Sequence, residues 1–501
     1  MKVNQVQTAT NAVIQLIRRK PESFWLREQA LRPIKLFHEA ARRVPAYRDF
    51  LKKNKIQPDK IKTSGDLRLV PPTSKKNYLR EYPFEKLCWD GTLKHPLVFT
   101  ATSGSTGEPF YFARDYRVDW QAAVTHELFF RNSEKSVQGP TLILVCFGMG
   151  VWIGGVITYQ SFEFMREAGY PVSILTPGIN KREIFNALRR IGNHFKEIIL
   201  VGYAPFLKDI IDEAPHNGIN IRKLNIRFIF AAEAFTEKFR DYLAKHVNIT
   251  NPLLDTMNIY GSADIGVMAF ETPASILIRQ LAMGRWRLFA DIFHQIQRTP
   301  TLAQYIPRFI SFDEQGGELF LTGDNAIPLI RYGIGDHGGV LTLKEAIEKC
   351  RNHGIDFFKS ARAHGIANFI YKLPFVYIYE RVDMATTLYG LQVYPETIRE
   401  VLIEPPMNKY LTGKLTLITK YDRRQNQYLE VNLELRKHRK IPKKVQKILL
   451  SQVVANLRLK NSEYRELYNF LKERALPKLV FWPAEHQLHF KPGIKQKWVK
   501  K

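Results

Sequence analysis

The stretch Thr102–Pro109, reading TSGSTGEP, places four hydroxyl residues and two glycines in eight positions, shortly after an apolar run. Glycines let backbone N–H groups turn inward around phosphate oxygens, and hydroxyls add further donors. The spacing G-x-x-x-x-G-K-[ST] is absent and no lysine follows, so this is not a Walker loop. As a bare pattern, a Ser/Gly-rich turn is more often only a plain flexible loop. His486 and His489 offer two imidazoles three residues apart, but no third ligand stands at a clear spacing, and packed histidines are the plainer reading. Neither a G-x-S-x-G elbow nor an H-E-x-x-H pair occurs.

The elements that must position such a loop follow from the apolar pattern. Short β-branched runs recur after residue 97: TLILVCF (141–147), PVSILTP (171–177), EIILVG (197–202), IRFIFAA (226–232) and LLDTMNIYG (253–261). Helical segments such as KREIFNALRRIGNHF and TEKFRDYLAKHV separate them. This alternation predicts crossover units and a buried, largely parallel sheet. The first 95 residues read as basic helices interrupted at Pro45 and Pro58. Residues 271–312 read as a less regular basic stretch, and GELFLTGDNAIPLIRYGIGDHGG as a hairpin or small β-element, with a helical insert at about 343–367. After Asp383 come two strands of alternating polarity, two helices and a tail, enough for a small α+β domain.

The chain has 501 residues, 45% of them apolar and 25% charged, which excludes disorder as the dominant state. Its three cysteines, Cys88, Cys146 and Cys350, form no close pair, so a disulfide scaffold is not expected and a cytoplasmic, reducing compartment is. No apolar run approaches the roughly 18 residues of a membrane helix, and the N-terminus lacks a signal-peptide pattern. The net charge is +27, and residues 384–501 alone hold 24 basic and 10 acidic residues. Such a surface favours anionic partners without choosing among them. There is no recognition helix, zinc finger or aromatic-basic RNA motif, so a specific nucleic-acid partner is not expected.

Five ordered motifs resemble one superfamily. TSGSTGEP resembles the phosphate loop of the adenylate-forming enzymes, which include acyl- and aryl-CoA synthetases, luciferases and adenylation domains. NIYGSADIG (258–266) resembles the Y-G-x-T-E element, and LIRYGIGDHG (329–338) the R-Y-x-x-G-D element. YERVDMATTLYGLQVYPETIREVL (379–402) resembles the G-R-x-D hinge segment, and KPGIKQK (491–497) the C-terminal lysine motif. RRVPAYRDFL, LRLVPPTSKKNYL and CFGMGVWIGGVITYQSFEFMREAGYPVSILTPG are similar to the phenylacetate–CoA ligase branch, so the resemblance covers nearly the whole chain.

The resemblance implies roles position by position. Ser103, Gly104, Ser105, Thr106 and Gly107 should hold the β- and γ-phosphates of ATP. Ala231, Ala232 and Glu233 match the G-A-E element beside the adenine, with alanine for its first glycine; Tyr260 and Gly261 should lie against the base. Asp336 should accept the ribose hydroxyls, whereas Asp324 in LTGDN precedes the element and is set aside. Asp264 stands where the family has a Mg²⁺-binding glutamate. Arg381 should reach ribose or phosphate, although Glu380 replaces the glycine before it. Asp383 falls on the hinge and Gly390 beside the thiol-acceptor tunnel. Lys495, with Lys497 second, should be the catalytic lysine, because negative charge builds on phosphate and carboxylate oxygens as pyrophosphate leaves. Phe147, Trp152, Tyr159 and Tyr203 sit in segments similar to the carboxylate pocket, with core packing as the alternative.

The implied fold is α/β: a large N-terminal adenylate-forming domain with mostly parallel crossover units, and a small mobile C-terminal α+β lid. Its expected divisions are a helical region 1–95, a nucleotide- and carboxylate-binding core 96–382 and a lid 383–501. The implied activity is an ATP-dependent, AMP-forming acid–thiol ligase that uses Mg²⁺ and hands an activated carboxylic acid to coenzyme A. The alternatives are loading of an acidic acyl-carrier protein, favoured by the basic lid, and a catalytically weakened nucleotide-binding relative, favoured by Asp264, Glu380 and the displaced lysine.

Overall fold

A computed structural model describes residues 3–101, 110–232, 234–294, 300–379, 386–490 and 499, with backbone alone at 3–5, 396 and 403. The expected loop residues 103–107, Glu233, Arg381, Asp383, Lys495 and Lys497 lie outside the described residues.

The N-terminal region is helical, as its spacing predicts. Helix Glu22–Arg43 carries Pro33 in its interior, and Pro45 opens the next helix, Pro45–Lys53. A proline at the first helical position loses no hydrogen bond that the helix would otherwise make. Strands β1 Val98–Ala101 and β2 Tyr111–Arg114 then form an antiparallel hairpin whose connection is the Ser/Gly loop.

The crossover strands are β3 Thr141–Cys146, β4 Val172–Leu175, β5 Glu197–Gly202, β6 Ile226–Ala231 and β7 Thr256–Ser262. They lie parallel in the order β4-β3-β5-β6-β7. β3 and β5 are buried at every position, which explains their continuous apolar runs: both faces are covered. Leu142, Leu144 and Leu200 pack with Leu188 and Ile210 of helices Lys181–Arg190 and Ala204–Glu213. Ile143, Val145 and Val201 point to the opposite face and pack with Phe162 and Met165 of helix Ile153–Glu167. The helix after β3 and the helix after β5 therefore cover opposite faces. That arrangement creates a topological switch between neighbouring β3 and β5, where open α/β sheets bind ligands at the carboxyl ends of their strands.

Six further strands extend this sheet antiparallel from β7: β8 Gly266–Phe270, β9 Thr301–Gln304, β10 Ile310–Gln315, β11 Glu318–Gly323, β12 Leu329–Leu341 and β13 Phe375–Tyr379. The stretch 271–312 is more regular than its sequence suggests. It holds helices Pro273–Met283 and Trp286–Phe293, the first started by a Thr272/Ser275 capping box with Pro273 at its first turn, before β9 and β10. Its apolar residues Ile276, Leu277 and Ile278 are all buried, which hides the amphipathic period that would reveal a helix. Likewise GELFLTGDNAIPLIRYGIGDHGG is no separate element: it joins the main sheet as β11 and β12.

The C-terminal part holds the hairpin β14 Thr386–Leu388 and β15 Leu391–Val393, then β16 Leu411–Tyr421, β17 Gln427–Leu435 and β18 Lys478–Trp482. β16 and β17 pair antiparallel, and β18 adds parallel to β17. The expected tail thus contains a further helix, Ser462–Leu471, and a third strand. The apolar core of this part is continuous with that of the crossover strands. All three cysteines are buried and unpaired by disulfide, and among the described residues no helix is long and apolar enough to cross a membrane.

Candidate active site

The carboxyl end of β7 brings two of the expected residues together with two on β12. Tyr260 Oη donates to Asp336 Oδ2 at 2.6 Å, and Tyr332 Oη donates to Asp264 Oδ2 at 2.6 Å. Asp264 sits on the tight β7–β8 connection, which two glycines make possible. A side chain at Gly261 would meet the carbonyl oxygen of Gly266 at 2.8 Å, and Gly266 adopts φ +86°.

Beneath β7 lies a paired set of buried charges. Arg240 Nη2 donates to Glu271 Oε2 at 2.8 Å, Arg279 donates to Glu237, and Glu271 Oε2 accepts the Asn258 N–H at 3.0 Å. Burial pushes the Glu237 carboxyl up, but Arg240 and Arg279 outweigh it and hold it down at about 2. Removing one partner would strand a charge in a dry environment, so this set fixes β7 rigidly.

Sequence reasoning missed Lys75. Its Nζ stands 3.1 Å from Asp264 Oδ1 and 5.3 Å from the centre of the Phe112 ring on β2. Residue 73 places it there: the Thr73 N–H donates to Arg331 O at 3.0 Å, and the Gly333 N–H donates to Thr73 O at 2.9 Å. A Ser74/Asn77 capping box then turns the chain so that Lys75 meets Asp264 on the β7–β8 connection. The signal was present in the capping pattern S-K-K-N, but the pairing with Arg331 spans the whole molecule.

Asp264 is nearly fully buried, with Lys75 on one oxygen and Tyr332 on the other. Mg²⁺ wants about six oxygens in octahedral array and binds through carboxylates open to it and to water. A nucleotide-borne Mg²⁺ takes most of those oxygens from phosphates and water and needs only one or two carboxylates, so Asp264 fits in number, while Lys75 stands on one of its oxygens. As placed, Asp264 is the partner of a lysine, and the metal-ligand role that the resemblance implies would require Lys75 to give way. Its side chain is one methylene shorter than the family glutamate.

At the end of β6, Ala232 adopts φ +76° whereas Ala231 does not have a positive φ. Alanine in place of glycine at 231 thus costs no backbone strain. The strained position is Ala232, at roughly 1–2 kcal/mol for a residue with a Cβ.

At the switch between β3 and β5, the residues just beyond the two strands meet. Phe147 and Tyr203 contact edge to face with ring centroids 4.9 Å apart. The glycine-rich segment between β3 and its helix folds back tightly, since a Cβ on Gly155 would lie 2.5 Å from Gly148 O. Trp152 stands in that segment, before the first turn of helix Ile153–Glu167. Tyr159 is an exposed residue of the same helix. Gly390 comes to the same place from the C-terminal part: a Cβ there would be 2.2 Å from Tyr203 Cδ1.

Asp324 is held by Arg117 and lines a cavity of about 400 Å³ with Arg43, Trp89 and Asp115, away from Tyr260. His486 and His489 pack against Trp482 at a tilt of 39°, with ring centroids 4.3 and 4.8 Å from it, as packed histidines. They stand just before residues 491–498, and Val499 beyond that stretch bridges to Leu417 of β16, so both ends of the segment bearing Lys495 are fastened to the C-terminal sheet.

No family model matches the chain. It is 24% identical over 303 residues to the phenylacetate–coenzyme A ligase of Aromatoleum evansii, a match covering 58% of this chain and 61% of that one. It is 23% identical over 374 residues to the phenylacetate–coenzyme A ligase of Thermus thermophilus, covering 73% and 72%. The chain spans about three-fifths of the length of the first of these relatives. A solved 2-hydroxyisobutyryl-CoA ligase, in complex with 2-HIB-AMP and CoA, shares the fold with a TM-score of 0.58 at 14% identity, over 94% of this chain and 88% of that one. In sequence the chain is thus similar to phenylacetate–coenzyme A ligases, and in fold to a solved CoA ligase, in keeping with the ordered motifs.

Proposed function

We propose that the protein is an ATP-dependent, AMP-forming acid–thiol ligase. The observation that carries the reading is the Tyr260–Asp336 pair at the carboxyl end of the crossover sheet, beside the hairpin that presents the Ser/Gly loop. In the first half-reaction a carboxylate oxygen attacks the α-phosphorus of MgATP, the bond to the bridging oxygen breaks, and pyrophosphate leaves. In the second, a thiol attacks the acyl carbonyl and AMP departs, giving a thioester.

In this reading Asp336 accepts the ribose hydroxyls while Tyr260 orients its carboxylate and flanks the adenine. Ser103–Gly107 surround the β- and γ-phosphates, and Lys495 brings a positive charge to the oxygens that become more negative as pyrophosphate leaves. Asp264 acts within the protein by holding Lys75, and Mg²⁺ arrives with the nucleotide. The aromatic pair Phe147–Tyr203 borders the carboxylate, which suits a flat, apolar acid. Coenzyme A is the acceptor proposed, approaching past Gly390, with the 24 basic residues of the C-terminal part available to its phosphates.

An ATP–pyrophosphate exchange screen across aryl, arylacetic, fatty and hydroxy acids, without acceptor, tests this reading. Exchange with one acid class supports it. Nucleotide binding without exchange for any acid would favour the weakened relative, for which the Lys75-occupied Asp264 is the specific structural argument.

A further inference from the structure

We propose that Arg474 is a positioning residue for the acceptor half-reaction, clamping the Tyr389–Gly390 turn onto Tyr203 through the acidic face of helix Ala204–Glu213. The proposal rests on the ligase reading above, in which Gly390 borders the path of the thiol.

The clamp starts on the large part of the chain. Helix Ala204–Glu213 begins directly after Tyr203 and carries Asp209 and Glu213 on one face, four residues apart. The Asp209 side chain is 1% exposed, and a carboxylate so buried needs cationic partners. Lys181 supplies one from the same part of the molecule, at 3.5 Å from Asp209 Oδ2 and 2.6 Å from Glu213 Oε1. Two acids and one lysine leave one negative charge unbalanced.

Arg474 of the C-terminal part balances it. Its Nη2 donates to Asp209 Oδ1 at 2.7 Å and its Nη1 to Glu213 Oε1 at 3.3 Å. A second bond crosses nearby, from Lys208 Nζ to Asn426 Oδ1 at 3.1 Å. Lys181 pairs with the same acids from within the large part, so they would keep one cation if the Arg474 contact were released. That is the behaviour of a reversible catch rather than a permanent weld.

The same guanidinium reaches the turn. Arg474 Nη2 donates to Tyr389 Oη at 3.0 Å. Tyr389 and Gly390, with φ +48° and +82°, are the two central residues of the β14–β15 hairpin, a two-residue turn of the kind that needs positive φ at both places. Gly390 packs on Tyr203, the residue from which the acidic helix starts. Helix, clamp and turn thus form one closed circuit, and the position of Gly390 at the β3/β5 switch depends on Arg474. Adenylate formation, which needs Lys495 rather than Gly390 at the site, does not draw on this circuit.

The test uses the full chain and an acid that the native protein adenylates. Arg474→Ala should keep pyrophosphate exchange within about twofold and lose roughly 10- to 100-fold in thioester formation from a supplied acyl-adenylate. Arg474→Lys should recover part of that loss. Tyr389→Phe leaves the pairing with Asp209 in place and should cost the thioester step roughly 3- to 10-fold. Equal losses in both half-reactions, or unimpaired thioester formation in Arg474→Ala, overturn the clamp. Should Arg474→Ala not fold, Arg474→Lys and Tyr389→Phe decide by the same two assays. Absence of pyrophosphate exchange in the native protein with every acid overturns the ligase reading itself, a separate result.

Discussion

Tyr260 and Asp336, 76 residues apart in sequence, meet through a 2.6 Å hydrogen bond that ties the end of the parallel half of the sheet to its antiparallel half. Asp336→Ala removes the carboxylate proposed to take the ribose hydroxyls. Charge-assisted bonds are worth about 1.5–3 kcal/mol, so the KM for ATP should rise roughly 10- to 100-fold. Tyr260→Phe keeps the ring and deletes one donor, and should raise it less than tenfold. Steady-state exchange kinetics at varied ATP measure both. Unchanged KM in Asp336→Ala would move the nucleotide elsewhere.

Asp264 tests the alternative to direct metal binding. Asp264→Ala frees Lys75 and leaves the Tyr332 hydroxyl without this acceptor, so exchange should fall roughly 10- to 100-fold at every magnesium concentration. A loss that excess magnesium repairs would return Asp264 to the role of metal ligand. Magnesium titration of the two proteins decides.

The crossover strands were legible because burial on both faces leaves a pattern that local sequence cannot hide. The motifs likewise named Tyr260, Asp264 and Asp336 as one site. Lys75 and Arg474 were not legible, since each matters through a partner far away in sequence: Arg331 and Asp264 for the first, Asp209 for the second. A basic residue in a +27 chain carries no mark distinguishing a solvated lysine from a clamp. The strand Lys478–Trp482 escaped for a related reason, because five residues beside a proline and a charged helix resemble a tail until β17 is there to pair with them.

His126 sets a pH dependence of stability. It is fully buried in helix Tyr116–Phe130, its Nδ1–H donating to Ala122 O at 2.8 Å, with Nε2 facing apolar surroundings. Burial pulls its pKa down to about 4 from an ordinary value near 6.5. The unfolded chain therefore binds the extra proton, and stability falls as pH drops from about 6.5 towards 4, by roughly 3 kcal/mol in all. Above about 6.5 this contribution is flat. Denaturant unfolding of His126→Phe should show a shallower decline over that window. An identical decline would exonerate His126.

Gly390 should tolerate no side chain. Alanine there meets the Tyr203 ring at 2.2 Å and carries the additional strain of φ +82°, roughly 1 kcal/mol by itself. Gly390→Ala should slow thioester formation from a supplied acyl-adenylate while sparing pyrophosphate exchange. Adding Tyr203→Ala should relieve the clash but not the strain. Full activity in the single variant would take Gly390 away from the acceptor path.

Lys495 joins motif, chemistry and domain motion in one measurement. The residues flanking its segment belong to the C-terminal part, where His486 and His489 pack against Trp482 and Val499 bridges to β16. A single positive charge aimed at an oxyanion is worth roughly 100- to 1000-fold in rate. Lys495→Ala should lose that much in pyrophosphate exchange. A supplied acyl-adenylate bypasses the step, so its thioester formation should remain nearly native. Lys497→Ala should be mild in both assays. The reverse ranking would assign the charge to Lys497 and leave the mechanism intact. If neither lysine affects exchange, the segment is a solvated basic end, and nucleotide binding without efficient turnover becomes the better account of the chain. A loss in both half-reactions from Lys495→Ala would instead mean that the lysine anchors the C-terminal part, and circular dichroism with thermal melting would then show a lowered midpoint.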